Sequence, residues 1–299
     1  LTKIKIMERR DFIRNASLTA LSMSAFGNLI WDGVHFVGDS PTTTDILGPF
    51  YRPGAPIRNN LRLPNTKGTP IILKGNILKE DGKTPLKNAL VEIWHCDENE
   101  VYDNATDDYK YRGGQTTNSK GKYEFKTILP VPYKADQADE SSWRPAHIHM
   151  RISAPNQQDL ITQIYFENGK YVESDPWASA PSAVNRILKI TQMKSGESEV
   201  LFNVILGKEI PLDAKVYEKI TGLYEVDDFT VEFIKSDDAL FMKRNGQLVA
   251  NLNYVGNNTF EGGGTSFPKV HFELLKDGSV KANISTKSKT YSGLKFLKY

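Results

Sequence analysis

Cysteine is nearly absent. Cys96 is the only one in 299 residues, which excludes an internal disulfide. It falls in a strand-like run and reads as a small buried residue. Long apolar runs are missing as well. The mild run from Ala16 to Phe26 is too short and too rich in Ser and Thr to span a bilayer, so no transmembrane segment is expected. No surplus of one charge sign exists. The formal net charge is +2, and residues 1–14 hold five basic side chains against Glu8 and Asp11, which leaves the rest of the chain at −1. A near-neutral body without a basic stripe argues against nucleic acid as a partner. Histidine is scarce, with five in the chain, yet His147 and His149 stand one residue apart.

What is present divides into three parts: residues 1–30, about 40–212 and 213–299. In the first, Arg9-Arg10 precede Phe12 and the mild apolar run, which resembles a twin-arginine export signal. Cleavage is expected near the small residues Ser24–Gly27, with a periplasmic or extracellular destination. An amphipathic N-terminal helix is the competing reading. Leu1 is an unusual first residue, and Met7 is an alternative start.

The middle part opens with a connector and then Ile46-Leu47-Gly48-Pro49-Phe50-Tyr51-Arg52-Pro53-Gly54, too rich in Pro and Gly for regular structure. Strand-like runs follow at Ile71–Leu78, Ala89–Cys96, Lys122–Ile128, Leu160–Phe166 and Val200–Leu206, separated by turns such as Glu80-Asp81-Gly82-Lys83. Short strands with turn signals predict a mainly β fold with an antiparallel β-sandwich core. Residues 176–195 are expected to hold a short helix.

Arg144 to Ser153 alternates without a fault. Ala146, Ile148, Met150 and Ile152 fall on one side, and His147, His149, Arg151 and Ser153 on the other. The pattern predicts a strand with one buried face, with two imidazoles side by side that could share a metal ion. A merely solvated polar face is the plainer reading of His-x-His alone.

Several ordered motifs weigh against that plainer reading. Leu73-Lys74-Gly75-Asn76-Ile77, Pro85, Ala89-Leu90-Val91-Glu92-Ile93-Trp94-His95, Val101-Tyr102, Gly121-Lys122-Tyr123-Glu124-Phe125, Leu129-Pro130-Val131-Pro132-Tyr133 and Arg144-Pro145-Ala146-His147-Ile148-His149 together resemble the intradiol ring-cleavage dioxygenases, non-haem ferric enzymes. The resemblance covers about residues 46–206. It implies Fe(III) held by Tyr102, Tyr133, His147 and His149, a donor set suited to a hard ion. By composition alone, Tyr51, Tyr109, Tyr111 and Tyr123 would be equal candidates among the thirteen tyrosines. The resemblance also implies that Tyr133 gives way to the substrate and takes up its proton. Arg144 would place a cation beside the ring, Gln163 would hydrogen-bond near the ligands, and Ile46 and Pro49 would wall the substrate pocket. His95 is not a family ligand and reads as structural. The implied reaction uses O2 to cleave a catechol-type aromatic between its hydroxylated carbons, giving a muconate-type diacid. Catechol-type members carry a long helical N-terminal segment that serves dimerisation; here a short connector precedes Ile46, so quaternary structure is left open, a homo-oligomer included.

Residues 213–299 change composition. Strand-like runs around the turns Arg244-Asn245-Gly246-Gln247 and Lys276-Asp277-Gly278-Ser279 predict five or six antiparallel strands, a small meander or partial barrel. Two competing functions remain at this level. One is a secreted β-sandwich binding module without catalysis; the other is a zinc or copper site built on the histidine pair alone.

Overall fold

The computed structural model describes residues 41–299 except 228, 237–238, 263–268, 287–288 and 297–299, together with a short pair of strands, β1 (Ile30–Trp31) and β2 (Phe36–Val37). Arg9, Arg10 and the apolar run after them, read above as an export signal, lie outside the described residues.

Four strands open the main body: β3 (Pro70–Leu78), β4 (Leu90–Trp94), β5 (Arg112–Thr116) and β6 (Lys122–Ile128). A small hairpin of β7 (Tyr133–Lys134) and β8 (Trp143–Arg144) follows. Then come β9 (His147–Ser153), β10 (Leu160–Phe166), β11 (Ile187–Leu188), β12 (Ile190–Gln192), β13 (Ser198–Leu201) and β14 (Val204–Ile205). One sheet runs β11-β10-β9-β4-β5; in the other, β6 pairs with β3, whose remaining neighbours are β13 and β14. Leu73, Ile77, Val91, Ile93, Phe125, Ile148, Met150, Ile164 and Val200 meet in a shared core, so the body is a sandwich.

Pairing is mostly antiparallel, but β10–β11, β13–β3 and β14–β3 are parallel. The helix expected within 176–195 is a single 3-10 segment, Pro181–Arg186, after which the chain turns straight into β11 and β12. Pro181 starts it, and the extended backbone of Ile187 stops it. Strand β5, with sequence Arg-Gly-Gly-Gln-Thr, has no strand signature of its own. Gly113 is required there because a Cβ would stand 2.6 Å from the Arg58 carbonyl oxygen.

The C-terminal part is a closed barrel rather than a partial one. After α1 (Ala214–Ile220), capped by the Asp213 side chain, come β15 (Gly222–Val226), β16 (Phe229–Ser236), β17 (Ala239–Arg244) and β18 (Gln247–Gly256). The ring continues through β19 (Thr259–Gly262), β20 (Lys269–Leu274), β21 (Val280–Ser285) and β22 (Thr290–Lys295). Closure comes from β22 pairing back on β15, with Tyr224 opposite Lys295. Tyr224, Phe233, Leu240, Phe260 and Phe272 fill the interior, and Tyr217 and Ile220 of α1 pack against them.

The hairpin β17–β18 also has a buried outer face. Leu240, Met242, Ala250 and Leu252 belong to the barrel core, whereas Phe241 and Asn251, which stand opposite one another, are buried without belonging to it. Asn253 donates to the Asp159 carbonyl at 2.8 Å, and Asn251 to the Asp159 carboxylate at 3.3 Å. The polar face of β9 is therefore no solvated surface. His147 and His149 are 1% exposed and Arg151 6%: His147 lies against Tyr133 and Tyr165, Gly48 closes over His149, and Phe241 of the barrel hairpin lies against Arg151.

Candidate active site

Strand β9 carries both histidines on one face, as period two requires. His149 stands opposite Trp94 on β4 and Gln163 on β10; His147 stands opposite Tyr165. Tyr102 comes from the loop after β4. That loop is shaped by the Asp97 side chain, which accepts from the Asn99 and Val101 amides, and by Asp103, which accepts from Thr106 and Lys110. Tyr133 ends the Pro130-Val131-Pro132 run and pairs with Arg144 across the β7–β8 hairpin. Four side chains converge. The two histidine Nε2 atoms lie 3.2 Å apart, the Tyr102 hydroxyl is 3.4 Å from His147 Nε2, and the Tyr102 and Tyr133 rings sit edge to face at 5.4 Å. All four residues are buried.

Electrostatics decide what this cluster can hold. Burial, reinforced for His147 by Arg144 and for His149 by His147, holds both imidazoles well below their usual pKa, so they are neutral. The Pro145 carbonyl can only accept, so His147 Nδ1, 2.7 Å away, carries the ring proton, and Nε2 presents a bare lone pair to the cluster. Burial raises the Tyr102 phenol far above its usual pKa, with the neighbouring Tyr133 adding to the effect. Burial raises Tyr133 too, opposed by Arg144. The site thus gathers two neutral nitrogens and two phenols, and only a strong Lewis acid would ionise the phenols there. Among the described residues no group of three or more His, Cys, Asp and Glu converges, so the protein donors at hand beyond the histidine pair are the tyrosines. The donor set fits ferric iron, for which phenolate and imidazole are suitable ligands.

A second layer fixes the site. Arg144 Nε donates to Asp175 at 2.5 Å, its Nη2 donates to Gln163 Oε1 at 3.0 Å, and its guanidinium lies 4.3 Å from the Trp177 ring centre. Gln163 Nε2 donates to the Ile46 carbonyl at 2.9 Å. The Tyr165 hydroxyl lies 2.9 Å from Asp45 Oδ2 and 3.1 Å from Gln163 Oε1, and Asp45 pairs with Arg186. Gln163, opposite His149, therefore ties Arg144 to the 46–50 loop beside the donors. In that loop Ile46 is buried and Pro49 exposed, while Phe50 meets the donors, stacked on Tyr102 at 4.3 Å. Arg112 binds the Phe50 and Asp103 carbonyls and so joins this loop to the Tyr102 loop. Gly48, at φ +73°, lets the backbone close over His149: a Cβ there would stand 2.8 Å from the ring's Cε1.

Other sequence candidates are occupied elsewhere. The Tyr109, Tyr111 and Tyr123 hydroxyls bond to Pro53, Glu98 and Phe202, and Tyr51 packs on Trp94. His95 bonds the Cys96 carbonyl and Thr127, and burial pulls its pKa down to about 4. Burial pushes the Cys96 thiol up to about 12. Asp45, Tyr165, Asp175, Arg186 and Phe50 carry no local signal that marks them in the sequence.

Comparison with known proteins places this arrangement. A model of the Dioxygenase family matches residues 46–208. A chlorocatechol 1,2-dioxygenase of Rhodococcus opacus is 31% identical over 224 residues, 67% of this chain and 86% of that protein. A catechol 1,2-dioxygenase of Acinetobacter lwoffii is 35% identical over 154 residues, 46% of this chain; the match spans 55% of that protein, little more than half its length. Among solved structures, the 3-chlorocatechol 1,2-dioxygenase of Rhodococcus opacus superposes with TM-score 0.50 at 27% identity, covering 56% of this chain and 73% of that one. The match over more than half the chain includes β9, its two histidines and both tyrosines, and this chain belongs to the intradiol ring-cleavage dioxygenases.

Proposed function

We propose that this enzyme binds ferric iron through Tyr102, Tyr133, His147 and His149 and cleaves a catechol-type aromatic diol with O2, between the two hydroxylated carbons, to a muconate-type diacid. The observation that carries the reading is the convergence of two buried phenols and two neutral imidazoles on one point. Several relatives are named for catechol or chlorocatechol, which supports that substrate class. Ferric iron held there would withdraw electron density from a bound catecholate and open its ring to O2.

The chain's own groups supply the rest. Tyr133 faces Arg144 across the hairpin, and once ionised by the metal its phenolate would accept a proton from the diol and become the neutral phenol that burial favours. Arg144 offers a fixed cation where negative charge develops on the ring, and Asp175 and Gln163 hold it there. Phe50 and the buried Ile46 exclude water on the loop side. Both oxygen atoms enter one product, so no reductant site is required.

The decisive measurement is a visible spectrum with an iron assay, before and after adding catechol under nitrogen. The purified protein is expected to be coloured by tyrosinate-to-iron charge transfer, with a band that moves on catechol binding. A protein that stays colourless after ferric reconstitution would overturn the proposal.

Export is proposed on Arg9-Arg10 and the run after them. Replacing both arginines by lysine is expected to keep the protein in the cytoplasmic fraction of a bacterial host. Unchanged export of that variant would remove the twin-arginine reading.

A further inference from the structure

The two histidines are held by different means. His147 is pinned by the hydrogen bond from Nδ1 to Pro145. His149 Nδ1 is buried with no hydrogen-bond partner among the described residues. Metal-binding imidazoles normally gain their orientation from such a partner, so packing must set the plane of His149. Trp94 lies flat on it, with ring centres 5.0 Å apart and planes 7° from parallel, and the Gly48 backbone closes on one edge. Trp94 is backed by Tyr51 at 4.9 Å, and Tyr51 lies parallel to Phe241 at 6.3 Å. The row of rings therefore starts at the donor cluster and ends on β17 of the barrel.

Phe241 is not part of the barrel's own core. It is 4% exposed, sits on the outer face of the hairpin, and also lies under Arg151, with the guanidinium 5.2 Å from its ring centre. Leu248, on the next strand, packs against the cluster that contains Tyr102, Tyr133 and Trp94. Beside Tyr51 and Phe241 a cavity of about 520 Å³ separates the barrel from the sandwich, bordered also by Ile57, Glu92 and Leu248. Without the Phe241 ring, Tyr51 has room to move outward, and Trp94 loses the surface that presses it on His149.

We propose that Phe241 is a positioning residue for His149, acting through Tyr51 and Trp94, so that the C-terminal barrel is part of the catalytic unit. The inference rests on the ferric reading above. It assigns the barrel a task that lies outside the family match, which ends at residue 208.

The test compares F241A, F241Y and N253A with the wild type, all as full chains confirmed folded by circular dichroism. N253A removes a tie between barrel and sandwich without touching the row of rings. F241A is expected to shift and broaden the ferric charge-transfer band and to lower iron affinity about tenfold, the lower end of what loss of an outer-shell support costs. F241Y, which keeps the flat ring, should restore both. N253A should lower the melting temperature and leave the band in place. If F241A does not fold, F241L keeps the apolar bulk, removes the ring and is expected to shift the band likewise. A coloured wild type whose band is unmoved in the folded Phe241 variant, or is moved equally by N253A, would overturn the inference alone. A colourless wild type would overturn the ferric reading, and this inference with it.

Discussion

Tyr102→Phe is expected to cost the site its iron, lowering ferric affinity by more than about 100-fold, beyond what loss of an outer-shell partner costs. The exchange removes one oxygen and little volume. The ring keeps its stack on Phe50 and its edge contact with Tyr133, so the sandwich should fold as before. The metal-free variant is expected to melt within a few degrees of the wild type, since one buried hydroxyl contributes about 1 kcal/mol. What disappears is one of two anionic ligands. The remaining set, one phenolate and two neutral imidazoles, would leave two of the ion's three charges unmatched, where the full set would leave one. Metal content after dialysis, read with the visible band, checks this. The same experiment separates ferric iron from a zinc or copper site on the histidine pair, because such a site would bind its metal equally well with phenylalanine at 102. A variant that retains iron and an unaltered band would remove Tyr102 from the ligand set.

The second large effect is expected at Asp175. One carboxylate oxygen takes the Arg144 Nε, and the other accepts from the Trp177 and Ala178 amides at 3.0 and 2.7 Å. Asparagine can keep the amide contacts, but it leaves a guanidinium without its counter-charge at a site where Arg144 is 6% and Asp175 1% exposed. Breaking a buried pair from one side costs about 3–5 kcal/mol. D175N should therefore melt well below the wild type. It should also lose about 100-fold in kcat, comparable to removal of one preorganised transition-state donor, because Arg144 is no longer aimed. The double variant R144M/D175N removes the stranded charge along with the pair. It is expected to recover most of the stability and none of the activity. That divergence separates holding the fold from serving the reaction. A D175N protein with wild-type melting and turnover would show that Gln163 and Trp177 suffice to hold Arg144.

Much of this protein can be read from local pattern. The faultless alternation from Arg144 to Ser153 determined that His147 and His149 share a face, because a strand's side chains repeat every two residues whatever surrounds it. The turns at Asn245-Gly246 and Asp277-Gly278 likewise determined hairpins, since positive φ there depends on neighbouring residues only. The tyrosines are a different case. Nothing local distinguishes Tyr102 and Tyr133 from Tyr51 or Tyr123; ordered motifs do, and the structure then shows the first two converging on the histidines. Tertiary structure alone decided the rest. Asp45 meets Tyr165 across 120 positions, and Arg186 meets Asp45 across 141. A separation of that size leaves no periodic trace, because the contact depends on how whole sheets pack. The barrel closes only because β22 returns to β15, and no hairpin pattern encodes that last pairing. The alternation in β9 predicts one buried face, and the fold buries the second as well. Alternation separates two faces but does not say what will cover the second, and here Gly48, Tyr51 and the barrel's Phe241 supply the cover.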